Sequence, residues 1–124
     1  MKKKILVVED EPSLRKVLET SLIQEGFAVS TATNGEDGLR LANEEKPDLI
    51  LLDIILPKMD GFAVLNSLSQ SDLLKHTKVL ILTNLSYSGN IVEMLQKGAQ
   101  EYLMKADWTI AELMEKVKNT LKEN

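Results

Sequence analysis

The chain has 124 residues, with 15 lysines and arginines against 19 aspartates and glutamates, a formal charge of -4, and no cysteine. That length suits one domain, and 44% hydrophobic residues are enough for a core, which excludes general disorder. The lack of cysteine removes disulfide scaffolds, cysteine zinc sites, iron–sulfur clusters and thiol catalysis, and the acidic balance argues against direct nucleic-acid binding.

Lys2-Lys3-Lys4 followed by Ile5-Leu6-Val7-Val8 imitates the start of a signal peptide, but Glu9-Asp10-Glu11 ends the apolar run too soon. The stretch Leu49 to Leu56 is interrupted by Asp53 and is far too short to span a membrane. A soluble, cytoplasmic protein without a membrane role is expected. Lys4–Val8 itself reads as a short β-branched strand behind a solvated lysine start.

Pro12 suits the first turn of a helix, and Leu14, Val17, Leu18, Ser21 and Leu22 continue it at helical spacing until Gly26. Phe27–Ala32 reads as a second strand. Asn34-Gly35 is a turn into a short helix over Glu36–Glu45. Asp48–Asp53 is almost wholly apolar, as expected of a parallel strand covered on both faces. After a loop from Pro57 to Gly61, Phe62, Leu65 and Leu68 mark a third helix. Val79–Leu82 is a fourth strand, Ile91, Val92 and Leu95 a fourth helix ending near Gly98, and Glu101–Met104 a fifth strand.

The last helix is the best marked. Thr109 and Glu112 fit a capping box, Trp108 is placed to staple onto Leu113, and Ile110, Leu113, Met114, Val117 and Leu121 form one apolar stripe. Five strands and five helices in strict alternation predict a doubly wound α/β fold: a five-stranded parallel sheet with helices on both faces. The flavodoxin-like strand order 2-1-3-4-5 is expected.

In such a sheet, ligands bind beyond the carboxyl ends of the strands, where the strand order reverses. The first strand runs into Glu9 and Asp10, the third ends on Asp53, the fourth on Thr83, and the fifth runs into Lys105. Three carboxylates close together repel one another, and a divalent cation relieves that repulsion. Magnesium suits them, because it accepts a few carboxylates and leaves room for water and a phosphate oxygen. Asp53 lies within an apolar run, so it needs a partner or a job. An aspartate can accept a phosphoryl group as a nucleophile, with Thr83 and Lys105 placed to bind two of the phosphoryl oxygens.

Each residue taken singly has a blander reading. Glu9-Asp10-Glu11 alone is a solvated helix start, Asp53 a strand-end cap, Lys105 a surface lysine, and Tyr102 and Tyr87 packing residues. His76 reads as exposed, and Trp108 as a staple. The convergence of the strand ends favours the sharper reading.

In order, the residues Ile5-Leu6-Val7-Val8-Glu9-Asp10-Glu11-Pro12, Pro47-Asp48-Leu49-Ile50-Leu51-Leu52-Asp53, Leu56-Pro57-Lys58-Met59-Asp60-Gly61, Leu82-Thr83 and Gly98-Ala99-Gln100-Glu101-Tyr102-Leu103-Met104-Lys105 resemble the receiver domain of bacterial two-component response regulators. The resemblance covers essentially the whole chain and implies a single receiver domain over 1–124. It implies that Asp53 accepts a phosphoryl group from a sensor histidine kinase or phosphotransfer protein. Glu9, Asp10, Asp53 and the backbone carbonyl of Ile55 would hold Mg2+, and Thr83 and Lys105 would contact the phosphoryl group. Thr83 and Tyr102 would form the switch. The output surface, roughly Tyr87 to Leu121, would bind a downstream protein. No enzymatic turnover of other substrates is expected.

Several departures bear on behaviour. Lys105 is followed by Ala106 where receivers usually carry proline, so a trans peptide is expected there. The segment from Lys105 to Thr109 is also one residue longer than usual. Asn84 is larger than the small residue favoured after the threonine, which narrows access. Ile55 and Leu85 occupy positions that tune phosphate lifetime, and neither can orient an attacking water. Slow self-dephosphorylation is expected, and an Ile55→Asn, Leu85→Glu variant should lose its acyl phosphate faster. If the chain ends at Asn124 in the cell, its output must come from its own surface. Two alternatives remain. A degenerate receiver would act only as an interaction module. A phosphohydrolase with an aspartate nucleophile is disfavoured, because such enzymes often carry a second aspartate where Ile55 stands.

Overall fold

Four consecutive apolar residues at the first strand, Ile5 to Val8, are all buried because the strand is covered on both faces. The computed structural model describes residues 2–83 and 91–122. Its elements alternate as β1 (Lys4–Val8), α1 (Pro12–Gln24), β2 (Ala28–Ala32), α2 (Gly35–Glu45), β3 (Leu49–Leu52), α3 (Gly61–Ser69), β4 (Lys78–Thr83), α4 (Ile91–Gln96), β5 (Ala99–Met104) and α5 (Ile110–Lys122). Short 3-10 turns occupy Leu73–Lys75 and Lys105–Asp107, the second in the segment with the extra residue.

The strands pair in parallel, as the alternation predicts, and in the expected flavodoxin-like order β2-β1-β3-β4-β5. One side chain set points to each face. Leu6, Val8, Ile50, Leu52, Val79, Ile81 and Ala99 join Ala42, Val64, Leu65, Leu68 and Met94 from α2, α3 and α4. Ile5, Val7, Leu49, Leu51, Leu80, Leu82 and Leu103 join Leu18 and Leu22 of α1 and Leu113, Met114 and Val117 of α5. Fully burying each of the valine, leucine, isoleucine and methionine side chains among them stabilises the fold by about 1.5–3 kcal/mol before the entropic cost is counted.

The capping box of α5 forms as expected. The Thr109 N–H donates to Glu112 Oε1 at 2.9 Å, and the Glu112 N–H donates to Thr109 Oγ1 at 3.1 Å. Trp108 packs with Leu113 in the same core layer. Val17 departs from its expected place on the buried stripe of α1. It is 44% exposed, and the fully buried residues of that helix are Leu18 and Leu22.

β5 begins at Ala99, two residues earlier than its apolar pattern suggests, and its register with β4 shifts between Val79 and Leu80. Ala99 lies opposite Val79, but Glu101 lies opposite Leu80, leaving Gln100 as an extra residue. The shift places Tyr102 opposite Ile81, on the face that carries α3 and α4. Glu101 turns to the other face, where its carboxylate pairs with Lys116 of α5.

Among the described residues no peptide bond is cis, so the Lys105–Ala106 bond is trans as expected. No helix among them is long and apolar enough to cross a membrane. Asn84, Leu85 and Tyr87 lie outside the described residues, as does the beginning of the expected output surface.

Candidate functional site

Strand order reverses between β1 and β3, and both strands stop just short of acidic residues. The Glu9 N–H is held by the Ala32 carbonyl at 3.0 Å, and the Asp53 N–H by the Val8 carbonyl at 3.1 Å. The sheet ladder therefore continues one residue past each strand and delivers both carboxylates to the same edge. Glu9 is 2% exposed and Asp53 5%, while Asp10 is exposed at the rim. Carboxylate oxygens of these three residues lie within 4.8 Å of one another, a spacing that suits a shared cation.

Lys105 is the counter-charge. Its Nζ donates to Glu9 Oε1 at 2.6 Å and to Asp53 Oδ2 at 3.2 Å, with 13% of its side chain exposed. Burial works against the ammonium, but the hydrogen bond to Glu9 and the charge of Asp53 outweigh it, and its pKa is raised. Burial also pushes the Glu9 carboxyl up, against the lowering effect of the Lys105 hydrogen bond and of the Glu11 N–H. Both shifts run upward: Lys105 faces two acids, which favours its charged form, whereas burial of Glu9 outweighs what the shared ammonium restores.

Glu9, Asp10, Glu11, Asp53, Ile55 and Lys105 line a cleft of about 230 Å³ that opens to solvent. Ile55 is 51% exposed at its edge, and its N–H donates to Asp53 Oδ1 at 3.4 Å. Thr83 is fully buried at the carboxyl end of β4, beside β3. By strand alternation from Val79 and Ile81 it shares a face with Tyr102, which is half-buried. The strand ends thus bring together Glu9, Asp10, Asp53, Ile55 and Lys105. Thr83 stands at the end of the adjoining strand, and Tyr102 lies two residues back along β5 from the level of Thr83.

The loop from Ile54 to Asp60 is pressed from both sides. A Cβ on Gly61 would stand 2.1 Å from the Asp53 carbonyl oxygen, and the Gly61 N–H donates to the Ile54 carbonyl at 2.8 Å. A Cβ on Gly35 would stand 1.6 Å from the Met59 carbonyl oxygen. Between them, Lys58 adopts φ 67, closed by the Met59 N–H on the Pro57 carbonyl at 2.8 Å, a strained γ-turn. Only glycine permits these two close approaches.

Arg15 carries no expectation from the sequence, yet it reaches the site. Its Nη1 donates to the carbonyls of Glu9 at 3.1 Å and Asp10 at 3.3 Å. The available signal was a cation one helical turn after Glu11, whose carbonyl accepts the Arg15 N–H.

The sequence matches the family model of the response regulator receiver domain over residues 5–118. It is 41% identical over 101 residues to the transcriptional regulatory protein AfsQ1 of Streptomyces coelicolor, covering 82% of this chain and 44% of that protein. It is 44% identical over 105 residues to the alkaline phosphatase synthesis transcriptional regulatory protein PhoP of Bacillus subtilis, covering 85% of this chain and 43% of that protein. A CheY-like receiver domain protein from Methanospirillum hungatei superposes with a TM-score of 0.90 at 31% identity, covering 98% of this chain and 95% of that one. With this fold, and with acids and a lysine gathered at the switch point of its sheet, the chain belongs to the receiver domain family of two-component response regulators. It spans less than half the length of the curated relatives it matches.

Proposed function

We propose that this receiver takes a phosphoryl group on Asp53 from a phosphohistidine of a sensor kinase or phosphotransfer protein. The observation that carries this reading is the convergence of Glu9, Asp10, Asp53 and Lys105 in one cleft. The donor set fits Mg2+: three carboxylates, with Asp10 at the open rim, and the Ile55 backbone carbonyl as a further oxygen. When bound, the ion supplies positive charge to the transferring phosphoryl oxygens.

Asp53 Oδ attacks phosphorus as the phosphorus–nitrogen bond breaks in a donor phosphohistidine whose other ring nitrogen is protonated; the bonding pair stays on nitrogen, leaving a neutral imidazole and an acyl phosphate. Lys105 is already within 3.2 Å of Asp53, so its ammonium can pass from Glu9 to a phosphoryl oxygen without crossing the cleft. The Thr83 hydroxyl binds a second oxygen. In doing so it draws the end of β4 toward Asp53 and opens room on the face shared with Tyr102. The population then shifts toward the state in which Tyr102 turns inward, and the surface of α4, β5 and α5 changes its affinity for a downstream protein. No other substrate is turned over.

The test is intact mass after incubation with MgCl2 and a small acyl phosphate donor. One added phosphoryl group, absent in Asp53→Asn and in excess EDTA, is expected. No adduct from small donors or phosphorylated kinase overturns the reading in favour of an interaction module. Sustained consumption of donor overturns it in favour of an enzyme.

A further inference from the structure

The Glu9–Glu11 turn, which carries two of the cleft's carboxylates, is held through its backbone at both ends. The Glu9 N–H is fixed to the Ala32 carbonyl, and the Glu9 carboxylate accepts from the Glu11 N–H at 3.1 Å. The carbonyls of Glu9 and Asp10, two residues in succession, both accept from the Arg15 guanidinium at 3.1 and 3.3 Å. Arg15 is half-buried, and its own backbone is tied to the turn through the Glu11 carbonyl at 3.0 Å. Two adjacent carbonyls gathered on one nitrogen lock the peptide between them. The direction in which Glu9 and Asp10 present their carboxylates is set by that peptide.

We propose that Arg15 is a positioning residue for the divalent-cation site: by clamping the Glu9 and Asp10 carbonyls, it fixes the angle at which the two carboxylates meet Asp53. It touches neither ion nor substrate. This rests on the reading of the acid cluster as a Mg2+ site. The Nη1 that holds both carbonyls belongs to a planar guanidinium with fixed N–H directions, whereas a lysine ammonium is a point charge on a flexible stem and holds them less rigidly. Partners that orient the ligands of a metal typically change its affinity by about 10–100-fold when removed. Because the clamp acts on backbone, its loss should fall at the lower end of that range.

The experiment is calorimetric titration of the full chain with MgCl2, in the absence of phosphodonor, for the wild type, Arg15→Ala, Arg15→Lys and Leu22→Val. Leu22 is fully buried on the same helix at its far end, so Leu22→Val loosens α1 without touching the turn. Arg15→Ala is expected to raise the Mg2+ dissociation constant about tenfold, Arg15→Lys to fall between it and the wild type, and Leu22→Val to leave it unchanged. Equal affinity in wild type and Arg15→Ala overturns the positioning role while leaving the cation site intact. Equal weakening in Arg15→Ala and Leu22→Val overturns it too, since helix stability alone would then explain the loss. A wild type that takes up no Mg2+ overturns the cation site itself, and the role of Arg15 with it.

Discussion

Removing the Lys105 ammonium should turn the cleft from a balanced network into a cation trap. The side chains of Glu9 and Asp53 are 3% and 6% exposed, and Lys105 is the cation within salt-bridge distance of both among the described residues. Lys105→Met keeps the apolar stem but leaves two buried carboxylates facing each other. Breaking a buried ion pair from one side costs about 3–5 kcal/mol, and the opening to solvent puts this case near 3 kcal/mol. For a domain of this size that is a fall of roughly 10 °C in Tm. Thermal unfolding by circular dichroism in EDTA measures it. In MgCl2 the ordering should partly reverse, because the ion no longer competes with an ammonium for the same oxygens. If its affinity rises about tenfold, the Mg2+-dependent stabilisation of the variant exceeds that of the wild type by about 1.4 kcal/mol at saturation. A Glu9→Gln, Lys105→Met double variant should recover part of the loss in EDTA. Equal Tm values in EDTA, or equal increments with Mg2+, would refute the reasoning.

Asp10→Asn is expected to raise Tm in EDTA by roughly 3 °C, since it removes a like charge beside Glu9 and Asp53, and to abolish the Mg2+ increment; differential scanning calorimetry with and without the ion reads both. Gly61→Ala should cost about 3 kcal/mol, because its methyl group would collide with the Asp53 carbonyl and backbone must move; a Tm within 2 °C of wild type, on a scale of roughly 3–4 °C per kcal/mol, would contradict that. The Glu112 carboxyl is held below the usual glutamate range, first by the Thr109 N–H and then by its hydroxyl. A lowered native pKa stabilises the fold above the unfolded value and ceases to do so as pH falls through the native one. The Tm difference between wild type and Glu112→Gln should therefore be full at neutral pH and close as acid passes below about pH 4.3.

What could be read in the sequence was whatever depends on local pattern. The apolar run ending on Asp53, the capping box at Thr109 and the alternation of elements each follow from spacing within a few residues. They were enough for a parallel doubly wound sheet and for the set of strand-end groups, while the strand order came with the flavodoxin-like expectation. Other features depend on partners distant in the chain. Val17 matches a helical stripe, but it is exposed in the fold, which the spacing within one helix does not reveal. Ala99 and Gln100 look like turn residues and join β5 only because β4 offers them a ladder. Gly35 and Gly61 read as turn glycines, whereas their reason lies in the backbone of Met59 and Asp53 pressed against them. The sequence resemblance gave Lys105 a phosphoryl oxygen to bind. Which acid it meets first, Glu9 across 96 residues, belongs to the folded cleft.

The register shift at Gln100 acts as a change of phase in β5. Counted strictly from Ala99, Tyr102 would stand opposite Leu82 and look toward α1 and α5, on the side away from Thr83. One surplus residue inverts that parity and lets the tyrosine and the threonine share a wall of the protein. A single-residue deletion between Gly98 and Tyr102 would thus rewire which helices can sense the end of β4, while every residue of β1 to β4 kept its place. Under the proposed switch, communication across this sheet would rest on an odd-or-even count in one strand, a property that substitution leaves untouched and that insertion or deletion changes in one step.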